Sequence, residues 1–127
     1  IIWGVQPGGS DWTPGTFEIR IQNTTGSALN NFMVSYDIYV NNDQDRGNSF
    51  NFAYFTDTFP YTSVPALDYT SPTNADANGF VKISRSTRIN VAVPAGGHIY
   101  FEFNGDDVSG SGSRDEFGLD NVVVRAN

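Results

Sequence analysis

The sequence predicts an all-β fold, an antiparallel two-sheet β-sandwich of jelly-roll type. Three features point there. Ala, Leu, Glu and Lys rarely recur at helical spacing, apolar residues recur at every second position, and turn-forming clusters separate the runs. With 127 residues and 39% apolar content, the chain is long enough to bury one real core and too apolar to be disordered. It reads as one module, residues 1–127, belonging to a larger exported protein.

Each strand has its own warrant. Phe17, Ile19 and Ile21 alternate with Glu18, Arg20 and Gln22, so one edge of the run is apolar and the other polar. Phe32, Val34, Tyr36, Ile38 and Val40 alternate with Met33, Ser35, Asp37 and Tyr39. Phe50, Phe52 and Tyr54 share a face, with Phe55 opposite. Weaker runs cover residues 63–69 and 79–84. Ile89, Val91 and Val93 form another strand, then Ile99, Phe101 and Phe103, and a last one covers residues 118–125. Turns are expected at 23–26, 41–48, 94–97 and 109–113, where Asn, Gly, Ser and Pro collect. On this reading one outward sheet face carries Arg20, Asp37, Tyr39, Asn51, Tyr100 and Glu102.

Charge narrows the partners. Fourteen acids against seven bases leave a net charge of −7, which disfavours nucleic acid and anionic membrane surfaces. No apolar run is long enough to span a bilayer. The absence of cysteine removes disulfides and thiolate metal sites. Five carboxylates crowd the C-terminal stretch: Asp106, Asp107, Asp115, Glu116 and Asp120. Like charges at close range cost stability, so they need partners, water or a cation.

Four segments carry a resemblance: QNTTGSALNNFMVSYDIYV, FNFAYFTD, SVPALDYTSP and GSGSRDEFGLDNVVVR. In this order they resemble a β-sandwich accessory domain of secreted bacterial proteins, similar to carbohydrate-binding modules. Such domains are appended to extracellular nucleases, phosphoesterases and polysaccharide-degrading enzymes. The chain departs from the pattern at DIYVNNDQDR, which lacks the tryptophan the relatives carry after the VSY strand, so no role tied to that residue transfers. The resemblance implies an extracellular, non-catalytic module, monomeric and covalently linked to other domains. It also implies a structural calcium ion near Asp120, for which Asp115, Glu116, Asp106, Asp107 or Asp11 would complete an oxygen shell. The loop Asn41–Gly47 has spaced oxygen donors but lacks a terminal bidentate acid, and reads as a polar hairpin tip.

Glycan recognition needs aromatic rings for pyranose stacking and planar polar groups for hydroxyls. Tyr39 and Tyr100 fall out of phase with the core, near Asp37, Arg20 and Glu102, while Trp12 and Tyr61 are candidates to cap that surface from loops. Arg46, with Lys82, Arg85 and Arg88, would meet an acidic glycan; the simpler reading makes them solvated strand ends. Catalytic signals are thin. The single histidine, His98, follows two glycines at a strand start, and no nucleophile elbow occurs. Two-residue spacing allows Asp37 and Glu102 to face each other on one sheet for glycoside cleavage, and nothing else in the sequence supports that pairing. The functional expectation is therefore polysaccharide binding that targets an attached enzyme. A spacer or adhesion domain is the alternative, and a polysaccharide lyase or hydrolase the third reading.

Overall fold

Two-residue alternation produces two sheets, as a computed structural model covering residues Ile1 to Asn127 shows. Nine strands form: β1 (Trp3–Val5), β2 (Gly15–Gln22), β3 (Leu29–Asn41), β4 (Arg46–Thr56), β5 (Thr62–Ser63), β6 (Tyr69–Thr70), β7 (Phe80–Val93), β8 (His98–Gly110) and β9 (Glu116–Ala126). One sheet has four strands in the order β1-β9-β3-β7. The other has the order β2-β8-β4-β5, with β6 also paired to β4. All pairings are antiparallel. From β2 to β4, and again from β7 to β9, each long strand lies in the sheet opposite its predecessor. That is the jelly-roll arrangement the periodicity predicts.

The core is a pack of rings between the sheets. Phe103 of β8 is fully buried and lies 5.0 Å from Phe17, 5.2 Å from Tyr36, 5.3 Å from Phe52 and 5.9 Å from Phe50, centroid to centroid. These offset and edge-on pairs add to the burial of apolar area. Tyr36 carries the one buried hydroxyl in this pack, and it donates to the Leu67 carbonyl at 2.6 Å. That bond satisfies a polar group in a low-dielectric interior and pushes no charge there: burial raises the phenol pKa beyond its ordinary range.

Several expectations change in detail. The weak run 63–69 becomes two two-residue strands, because Pro65 has no N–H to donate and starts a 3-10 turn, Pro65–Leu67. The runs 79–84 and 89–93 fuse into the single 14-residue β7. Its middle hides the apolar period because the inward positions there are Arg85 and Thr87. Arg85 is accommodated at the sheet edge, its Nε donating to the Asp68 carbonyl at 3.0 Å and its guanidinium lying 5.7 Å from the Tyr69 ring centroid. β8 continues through the acidic residues to Gly110, held by pairing with Arg46 and Gly47. β1 has no clear signal in the sequence.

Trp12 does not cap a surface. It belongs to the core, at 9% exposure, with left-handed φ of 62°. Two glycines make its seat: a Cβ on Gly105 would lie 1.7 Å from the indole Nε1, and one on Gly15 would lie 2.9 Å from Cε3. Gly15 and Gly105 are register partners on β2 and β8. Gly105→Ala should therefore cost about 1–3 kcal/mol by overpacking. Gly4→Ala, where nothing lies within 4 Å of the added carbon, should be close to neutral. Urea melts of the two variants check this, and equal midpoints would contradict the seating of Trp12.

Candidate functional site

Strand register decides which polar residues meet. On the outer face of the five-stranded sheet, β2 and β8 place Thr16 beside Asn104, Glu18 beside Glu102, Arg20 beside Tyr100 and Gln22 beside His98. β4 continues these rows with Asn51, Ala53 and Phe55. Phe55 and Tyr100 stack with centroids 4.5 Å apart and planes 4° from parallel. Asp57, just past the end of β4, fixes that pair from one end. Its Oδ1 accepts from the Tyr100 hydroxyl at 2.8 Å, and its Oδ2 from the His98 backbone N–H at 2.9 Å. The His98 ring Nδ1 also lies 3.0 Å from Oδ2. The Tyr100 hydroxyl, then His98, hold the Asp57 carboxyl below the usual carboxylate range. The same bond to Asp57 raises the Tyr100 phenol.

A second ring joins from the edge. Tyr61 is half exposed, and its hydroxyl accepts from Asn104 Nδ2 at 3.0 Å, a tether that reaches across β4 to β8. The outward residue of β4 along this path is Ala53, which is small and buried. Thr16 Oγ1 donates to Asn104 Oδ1 at 2.7 Å, so the tethering amide is itself held. Glu102 has a pKa raised by burial first and by the neighbouring Glu18 second. The face is open: the molecule's three surface depressions are lined by other residues.

Of the residues expected on one platform, Arg20, Asn51, Tyr100, Glu102 and Tyr61 are brought together. Asp37 and Tyr39 are not; they lie on β3, on the outer face of the opposite sheet. There Asp37 accepts from Ser84 Oγ at 2.6 Å and Asn121 Nδ2 at 2.7 Å, and these two bonds lower its pKa. Asp37 and Glu102 therefore point away from each other across the sandwich and cannot flank one glycosidic bond. Arg46 leaves the platform as well: it pairs with Asp107 at 2.8 Å. Arg88 Nη1 donates to Asn31 Oδ1 at 2.5 Å on the four-stranded sheet. Reasoning from sequence missed Asp57, His98, Phe55 and Asn104 as members of the face. Phe55 and Asn104 are out of phase with the inward residues of their strands, as is His98, two residues before Tyr100; nothing in the spacing marks Asp57.

The acids expected around calcium are dispersed among separate partners. Asp120 Oδ1 accepts from the N–H of Asn121 at 2.8 Å. Asp115 is fully buried, accepting from Ser71 Oγ at 2.6 Å and the Gln44 N–H at 3.2 Å, and burial raises its pKa. Glu116 accepts from Asn41 Nδ2 at 2.8 Å, and Asp11 is exposed in the loop before β2. No three His, Cys, Asp or Glu side chains converge on a point where a cation would sit. The donor set named for calcium does not fit one ion here. Asp107 instead carries a clamp: Arg114 Nε at 2.8 Å, Arg114 Nη2 at 2.6 Å, Arg46 Nη1 at 2.8 Å and Asn48 Nδ2 at 2.8 Å all donate to it.

No family model and no curated protein matches the chain. Among solved structures it is similar to a CBM4 structure, at 13% identity, covering 88% of this chain and 73% of that one with a TM-score of 0.40. It is also similar to a non-crystalline cellulose specific carbohydrate-binding module, CBM28, at 15% identity over 100% and 74% of the two chains, TM-score 0.49. An infectious bursal disease virus VP2 subviral particle matches at 10% identity over 98% of this chain and 32% of that one, TM-score 0.36. A ligand for this chain has to be argued from its own side chains.

The Asp107 clamp gives a signed prediction. Arg114 first, with Asn48 and Arg46 after it, depresses the Asp107 pKa below the ordinary carboxylate value. Its contribution to stability is therefore fully present above the unfolded-state value of about 3.9 and is lost as pH falls through the folded value. Asp107→Asn should lower the melting temperature at pH 7 and change it little near pH 2. A variant equally destabilised at both pH values would show that the clamp is not electrostatic.

Proposed function

We propose that this chain is a non-catalytic carbohydrate-binding module that holds polysaccharide on the outer face of its five-stranded sheet. Tethered Tyr61, half exposed beside the stacked Phe55–Tyr100 pair, carries the reading. An aromatic face takes the C–H face of a pyranose, while planar polar groups take its equatorial hydroxyls. Arg20, Glu18, Glu102 and His98 stand in register around those rings and supply donors and acceptors of both kinds. The rings are already ordered by Asn104 and Asp57, so binding a chain costs little side-chain entropy. An open face suits an extended polymer better than an enclosed small molecule. Such a module would act outside the cell, keeping a covalently attached enzyme close to its substrate.

The test is mobility in native gels cast with a panel of neutral and acidic polysaccharides. Retardation on at least one glycan is expected. Tyr61→Ala and Arg20→Ala should each weaken it about tenfold or more, equivalent to about 1.4 kcal/mol. Unchanged mobility on every polysaccharide would favour a spacer or adhesion domain. If Tyr39→Ala abolishes retardation and Tyr61→Ala does not, the ligand lies on the other sheet.

A further inference from the structure

The outer face of the four-stranded sheet has a gap in its layer of side chains. Gly4 of β1 is paired with Gly118 of β9, and Tyr39 of β3 stands on the other side of Gly118. Gly4 points outward with Ile2 and Gln6, because Trp3 and Val5 pair with Leu119 and Phe117, which are buried between the sheets. Two glycines side by side leave bare backbone where two side chains would stand. A Cβ on Gly4 would have nothing within 4 Å, so the space over it is empty. A Cβ on Gly118 would lie 2.6 Å from Ile2 Cγ2, so Ile2 leans over that floor. Ile1 lines a different depression, with Val122 and Val124, so the chain leads away from this gap at its Ile2 end.

The gap opens into a cleft of about 520 Å³ walled by Ile2, Tyr39 and Phe80. Phe80, the first residue of β7, is 60% exposed. An exposed ring beside an empty apolar concavity is the pattern of a small-molecule site. Glu116 is the only charged residue of the lining and Gln6 its only amide. Lys82, the register partner of Tyr39 on β7, does not line it. Asn41 Nδ2 donates to Glu116 Oε2 at 2.8 Å, which fixes the carboxylate in advance and leaves Oε1 for a ligand.

The lining selects its occupant. A sugar ring needs partners for several hydroxyls, and here one carboxylate and one amide serve them all. A fatty chain buries its methylenes but leaves the Glu116 carboxylate without a counter-charge. An organic cation meets both demands. Its apolar body covers the glycine backbone, and its charged nitrogen is attracted by ring faces and by a carboxylate together. We propose that this cleft binds an organic ammonium ion, one whose nitrogen carries methyl groups and a small apolar or aromatic body. The net charge of −7 draws such a cation in from solution. The cleft is independent of the face proposed for glycan, which lies on the other sheet.

The probe is benzyltrimethylammonium, titrated into the intact chain while backbone amide shifts are followed by NMR. Expected are saturable shifts at Gly4, Gly118 and Tyr39, with an affinity that falls as salt is added. Benzyl alcohol, the neutral counterpart, should bind about tenfold more weakly, and phenylacetate should not bind. Gly4→Val fills the empty space over the floor and should abolish binding while leaving the melting temperature nearly unchanged. Glu116→Gln should bring the cation down to the affinity of the alcohol. Phe80→Ala, at an exposed position, should weaken binding about tenfold and keeps the test decisive if Gly4→Val fails to fold. The proposal is overturned if no saturable shift appears, or if the alcohol or phenylacetate binds as tightly as the cation. It is also overturned if any of the three variants, once shown to be folded, binds the cation undiminished, or if the shifts map to Arg20, Tyr61 and Tyr100 on the other sheet.

Discussion

Closure of two sheets over a continuous pack of aromatic rings is the constraint from which the other features follow. Phe103 touches rings contributed by β2, β3 and β4, so the two sheets cannot shift relative to each other without opening that pack. Once the inward residues of each strand are committed to it, the outward residues have no freedom of their own. Their neighbours are whatever the register supplies. Arg20 meets Tyr100, and Glu18 meets Glu102, because Phe17, Ile19, Phe101 and Phe103 are paired inside. The face proposed for recognition is in this sense a by-product of the core, refined by Asp57 and Asn104, which hold two of its rings in place.

The acids crowded near the C-terminus find separate hydrogen-bonding partners. Each carboxylate takes a different partner: the Asp107 N–H for Asp106, Arg46 and Arg114 for Asp107, Ser71 for Asp115, Asn41 for Glu116 and the adjacent backbone N–H for Asp120. Repulsion falls when charges are separated or hydrogen-bonded one at a time. The arrangement also ties the 106–116 connection to the loop before β4, through Arg46 and through the contact of Asp115 with the Gln44 N–H.

How much was legible depended on which side of the strand carried the signal. The runs at Phe17–Ile21, Phe32–Val40 and Ile99–Phe103 announce their strands because every inward position is apolar. β7 was legible only at its ends, since Arg85 and Thr87 occupy inward positions next to the 3-10 turn, where a polar side chain finds a carbonyl. β1 is three residues long, too short for a period to show. For the face, alternation identified Arg20, Tyr100 and Glu102 as outward, and it identified Asp37 and Tyr39 as outward too. It could not say that the two groups look in opposite directions.

The sequence by itself determined the fold class, the inward and outward sides of the strands whose apolar alternation is unbroken, such as β2 and β3, and the acidic balance. Those follow from spacing and composition, which are local and need no partner. Tertiary structure alone decided which strands share a sheet, so that Asp37 lies far from Glu102. It also decided that Trp12 sinks onto Gly15 and Gly105, and that Asp57 and Asn104 reach the rings they hold. Sheet membership, close approach and side-chain hydrogen bonds join residues tens of positions apart in the chain. A two-residue period carries no information across such distances.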